Sequence, residues 1–112
     1  MYQQVKEKLG RLDAMRQAVQ TLPGQIAQLQ AAGQDTAQLR KAFVQAQLWV
    51  DAVEQALQVL SPEERLVADW LLIYPDKGNV QRLCSMLGVE QSTVYRRRAR
   101  VLEKLAAALY VL

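Results

Sequence analysis

The chain has 112 residues, of which 51% are apolar and 22% charged. That length suits one compact domain, or a small domain carrying a helical extension, and the composition excludes both disorder and a multi-domain enzyme. With no His and a single Cys, Cys84, neither a His-based catalytic triad, nor a His-rich metal site, nor an internal disulfide can form. The net charge of +3 is unevenly placed: residues 1–60 carry six Lys/Arg against five acids, residues 79–112 six against two. A local C-terminal excess of this kind suits one nucleic-acid-facing surface better than a general polycation.

The first residues, Met1 to Lys8, lack the apolar stretch of a signal peptide. The longest apolar run, Leu105 to Leu112, has eight residues, where a membrane span takes about twenty. A soluble, cytoplasmic protein with no membrane partner is expected, and a lone Cys is compatible with a reducing compartment.

Thirteen of the fifteen Gln residues precede Ser61. In that half, apolar residues recur at helical spacing: Val5, Leu9, Leu12, Met15 and Val19, then Leu22, Ile26 and Leu29 beyond Pro23-Gly24. The spacing predicts a helix over 2–32, broken or kinked at Pro23. Gly33 ends it, and Asp35 with Gln38 at the capping-box position opens a second helix over about 36–60. Its stripe Leu39, Phe43, Ala46, Val50, Val53, Leu57, Leu60 keeps to one face for about six turns. That stripe closes a helical hairpin within one chain or, alternatively, forms a coiled coil that makes a homodimer; so short a loop favours antiparallel neighbours.

Ser61-Pro62-Glu63-Glu64 marks a boundary between a scaffold or oligomerisation region, 1–60, and a second domain, 61–112. Ser61 caps, Pro62 occupies the first helical position at no hydrogen-bonding cost, and Glu64 completes a capping box. The helix that follows carries Leu66, Val67, Trp70, Leu71, Ile73 and Tyr74, with Trp70 in the core, and Pro75-Asp76-Lys77-Gly78 stops it. Asn79 caps a short helix to about Met86, Leu87-Gly88-Val89 turns the chain, and a long helix starts near Gln91. Gly88 supplies the positive φ that a sharp turn between two helices needs. Cys84 is the small residue at their close approach, with Leu83, Leu87, Val89 and Val94 as the locking contacts. Such a helix, tight turn and helix is the plan of a DNA reader.

Leu60-Ser61-Pro62-Glu63-Glu64-Arg65, then Leu87-Gly88-Val89-Glu90-Gln91-Ser92-Thr93-Val94-Tyr95-Arg96 and Leu102-Glu103-Lys104-Leu105, resemble the region-4 helix-turn-helix of sigma-70-type factors over about residues 60–106. Together with the helical N-terminal half, the chain is similar to the small sigma-like regulators of phage and prophage late operons, the ArpU and RinA type. The resemblance implies an all-α fold and a sequence-specific transcriptional regulator that reads promoter double-stranded DNA, with RNA polymerase as a further candidate partner. Two residues depart from the pattern: Cys84 replaces a common Ala, and Arg97 stands where an apolar residue is usual. Either the stem of Arg97 covers the core edge with its head in solvent, or the helix is rotated slightly.

Val94, Val101 and Leu105 define the buried face of the last helix, and Ser92, Arg96 and Arg100 line another at i, i+4, i+8. Gln91 suits adenine, Arg96 guanine, and Ser92 or Thr93 base or phosphate, with Arg98 and Arg100 toward the backbone. Tyr95 stacks on sugar-phosphate or packs. Asn79 and Gln81 are placed to hold a phosphate at the start of the supporting helix. The bland account of the arginines is a solvated basic helix face; the Gly-centred turn and the Gln-Ser-Thr leading edge favour DNA.

Glu63 and Glu64 are a helix's first-turn acids rather than a catalytic pair, and Asp76-Lys77-Gly78 lacks the repeated glycines of a phosphate loop. No catalytic site, metal or cofactor is expected. The rival assignments are a protein-interaction adaptor and a phage packaging or assembly component that uses the same motif. The apolar end, Leu105, Leu109, Val111 and Leu112, is expected to be buried against the N-terminal hairpin or a second subunit.

Overall fold

The computed structural model describes residues 2–109. Among them every regular element is helical: α1 (Gln3–Gly10), α2 (Leu12–Ala31), α3 (Ala37–Leu57), α4 (Pro62–Ala68) running into a π-helical turn (Asp69–Ile73), α5 (Asn79–Leu87) and α6 (Gln91–Ala108). The protein is all-α. None of these helices is long and apolar enough to cross a membrane.

The N-terminal helical stretch is interrupted at Arg11, and the helix is not broken at Pro23. Arg11 has φ −92° and ψ −8°, and its N–H is shared between the carbonyls of Glu7 and Lys8, each at 3.2 Å. The cause is a change of target along one apolar stripe. Val5, Leu9 and Leu12 are buried in the cluster formed with α4, the π turn and α6, whereas α2 runs along α3. Gly10, a poor helix former just before Arg11, is where the chain gives way most cheaply. Pro23 instead lies inside α2. A mid-helix proline costs about 3 kcal/mol, and half-buried Leu22, Ile26 and Leu29, on the helix that packs along α3, offset it.

Residues Gly33 to Thr36 turn the chain back into α3. Asp35 Oδ1 accepts from the Ala37 N–H at 3.0 Å, and the Thr36 hydroxyl accepts from the Gln30 amide at 3.2 Å. Thr36 is the residue at the cap, and Gln38 makes no reciprocal bond, so the expected capping box does not form here. The α3 stripe is taken up inside the chain by α2: Ala46, Val50, Val53 and Leu57 are buried, Leu39 and Phe43 half-buried. Arg16 of α2 meets Glu54 of α3 at 2.8 Å. Beyond that pair the hairpin becomes an arm: between residues 17 and 49 only Thr36 and Ala46 are buried. The molecule measures 59 × 28 × 21 Å with a radius of gyration of 17.4 Å, against about 13 Å for a compact chain of this length.

The start of α4 is as the sequence predicts. The Ser61 hydroxyl accepts from the Glu64 N–H at 3.2 Å, and Glu64 Oε1 accepts from the Ser61 N–H at 2.9 Å, with Pro62 in the first turn. The helix does not remain α-helical to Tyr74. From Asp69 it widens into a π turn, closed by the Tyr74 N–H donating to the Asp69 carbonyl at 2.8 Å. Widening reduces the angle between successive residues, and both Leu72 and Ile73 are thereby buried. Trp70 is half-buried at the edge of the core.

One apolar cluster continues across Ser61. Val5, Leu9 and Leu12 share it with Val53 and Leu57 of α3, Val67 of α4, Leu83 of α5, and Val94, Val101, Leu102 and Leu105 of α6. Leu109 is buried in the same cluster; Val111 and Leu112 lie outside the described residues.

Candidate nucleic-acid interface

The turn between α5 and α6 rests on Gly88, whose φ of +66° and ψ of 36° put it in the left-handed region. The Val89 N–H donates to the Cys84 carbonyl at 3.1 Å, closing α5. A side chain at Gly88 would meet nothing within 4 Å, so the requirement for glycine is backbone conformation and not space. Leu83 and Val94 are fully buried, and Cys84, Leu87 and Val89 pack half-buried against the same core. These contacts fix α6 against α5 and α4.

With Val94, Val101 and Leu105 inward, helix geometry orients the remaining residues of α6. Ser92, Arg96 and Arg100 lie exposed along one outward line. Arg96, Arg100, Ala99, Glu103, Lys104 and Ala107 border a shallow groove of about 600 Å³. The Arg96 guanidinium donates to the Thr93 hydroxyl at 3.2 Å, which joins those two side chains at the leading end. Gln91 is exposed at the start of the helix, and Tyr95, one residue before Arg96, is 51% exposed. Arg98 is not part of it. It follows Val94 by four residues and precedes Leu105 by seven, so it lies half-buried on the flank of the packed side.

Arg97 resolves the departure noted in the sequence. Its guanidinium donates to Glu63 Oε2 at 2.9 Å, and its side chain is 34% exposed. Seven residues on, Lys104 reaches Glu64 at 2.8 Å. The two first-turn acids of α4 thus hold two cations of α6, and they leave Arg96, Arg98 and Arg100 without an ion-pair partner among the described residues. Glu64 accepts from Lys104 and from the Ser61 N–H, and these bonds, the lysine's first, hold its carboxyl at about 2, well below its usual 4.5.

Asn79 leaves the candidate set. It is buried; its amide donates to the carbonyls of Trp70 at 2.7 Å and Tyr74 at 3.2 Å, and its Oδ1 accepts from Arg82 at 2.9 Å. Nor does it cap α5, because Gly78, at φ +82°, occupies that position. Asn79 satisfies carbonyls that the widened π turn and its exit leave free. Arg82, exposed and steadied by Asn79, is the residue on α5 that the sequence reading missed; a lone base one turn into the supporting helix was its only signal. Gln81 is exposed beside it. A cleft of about 470 Å³ nearby also contains Arg16 and Arg65, but these guanidiniums are committed to Glu54 and Asp69.

No protein family, curated protein or solved structure matches the chain.

Proposed function

We propose that the protein is a sequence-specific double-stranded DNA-binding transcriptional regulator, of the sigma-70 region-4-like kind found in phage and prophage late-operon regulators. In this reading α6 enters the major groove, α5 supports it, and the α2–α3 arm stands clear of the DNA. The observation that carries the reading is the division of the arginines. Arg97 is bound inward to Glu63, while Arg96 and Arg100 lie exposed and unpaired on one face with Ser92, directly after the Gly88 turn. A basic face kept only for solubility needs no such sorting.

Arg96 is the candidate for bidentate donation to guanine O6 and N7, Gln91 for adenine, and Ser92 for a base edge or phosphate. Thr93 positions Arg96 through their hydrogen bond. Arg100 and Arg82 suit phosphates, with Gln81, Tyr95 and Arg98 at the margins. Titration of a labelled duplex at increasing salt tests the interface. About five neutralised phosphates give a log–log slope of about −4 to −5; a flat curve would remove the mechanism.

A further inference from the structure

We propose that the outward face of α3 is a self-complementary contact through which two copies of the chain pair antiparallel. The heptad stripe is not available for this, because α2 covers it within the chain. A second stripe lies on the opposite side of α3. Val44 and Leu48 are 54% and 64% exposed, and half-buried Trp49 flanks them in an apolar cleft of about 330 Å³ shared with Gln45, Leu48, Ala52 and Lys8.

The charges around this stripe identify the occupant. Within α3 no charged residue occurs from Ala42 to Val50; Arg40 and Lys41 bound the apolar pair on one side and Asp51 on the other, and Lys8 of α1 borders the same cleft. Lys41, Val44, Leu48 and Asp51 fall within an arc of about 80° on the helix. Neither Lys41 nor Asp51 has an ion-pair partner among the described residues; Asp51 accepts only from the Gln47 amide, at 3.0 Å. A two-fold axis at Ala46 sets Val44 against Leu48 of the second copy and Lys41 against its Asp51, and the same pairs recur on the other side of the axis. Parallel pairing would instead set Lys41 against Lys41. Only the antiparallel arrangement of identical chains satisfies both ends at once.

The contact is one helix against one helix, smaller than the roughly 1,000 Å² that marks a stable interface. The dimer is therefore weak and concentration-dependent. It places the two α6 helices at opposite ends of the pair; that consequence for DNA rests on the function proposed above, whereas the contact itself does not.

Sedimentation of the full chain without DNA, from about 10 µM to 1 mM, tests the proposal separately from DNA binding. The wild type shifts from monomer to dimer across this range. Lys41→Asp and Asp51→Lys each turn two attractions into two repulsions and raise the dimer dissociation constant by about tenfold or more. The double variant K41D/D51K restores it to within a few-fold of wild type, and Leu48→Asp abolishes dimerisation. All three positions are exposed, and an unchanged circular dichroism spectrum verifies folding. A wild type that stays monomeric throughout, single reversals that leave the dimer intact, or a double reversal that fails to restore it would each overturn the proposal.

Discussion

Arg96 and Arg97 are adjacent and chemically identical, yet their surroundings give them different work. Arg97 lies over the first turn of α4 with its guanidinium on Glu63; a partly exposed pair of this kind contributes about 0–1 kcal/mol. Arg97→Leu, the apolar type that the resemblance expects at this position, should change stability by no more than about 1 kcal/mol in urea unfolding and leave any DNA preference intact. Loss of that preference would mean that Arg97 reads DNA. Glu64 carries more. Because its carboxyl is held at about 2 instead of 4.5, it favours the folded chain fully above about pH 4.5, and that contribution disappears as pH falls toward 2. Glu64→Gln keeps an acceptor for the Ser61 N–H but loses the ion pair with Lys104. Its deficit, about 1 kcal/mol at neutral pH, should shrink through this window in urea titrations at pH 7 and pH 3. A deficit independent of pH would contradict the assignment.

The Gly88 turn decides how α6 is presented. Any residue with a Cβ pays about 1–2 kcal/mol for the left-handed conformation there. With no neighbour within 4 Å of the position, Gly88→Ala should cost about that much in thermal or urea unfolding, and Gly88→Asn less, since Asn tolerates this region better. Equal losses for both would point to a steric cause. This turn was legible from the sequence because one residue type meets one backbone requirement. The same holds for the Ser61 capping box and for the inward set Val94, Val101 and Leu105. Pro23 does not break the helix, for the opposite reason: its local preference is opposed by packing along α3, while the interruption at Arg11 comes from Val5, Leu9 and Leu12 turning toward a core built by residues from Val50 to Leu109. Local periodicity carries no information about which partner a stripe will meet. Asn79 shows the same limit within the candidate site. Its type and position suggest a cap or phosphate contact, but the π turn, which has no local sequence signature, draws its amide inward.

A small cluster-centred body carries a narrow two-helix arm. The arm contains no charge from Gln17 to Gln34, whereas the outward face of α6 presents exposed and unpaired arginines. The charges of the arm lie on its other side, at Asp35, Arg40 and Lys41; positive charge is denser on the outward face of α6. Selection of duplexes from a genomic or random pool with the purified full chain at moderate salt, in parallel with Arg96→Ala, shows whether α6 reads DNA. The wild type should enrich a motif. In the variant, affinity for that motif should fall by about 1–3 kcal/mol and preference should relax at one base position. A motif that Arg96→Ala reads unchanged, or no motif from well-folded wild type, would remove sequence-specific readout by α6.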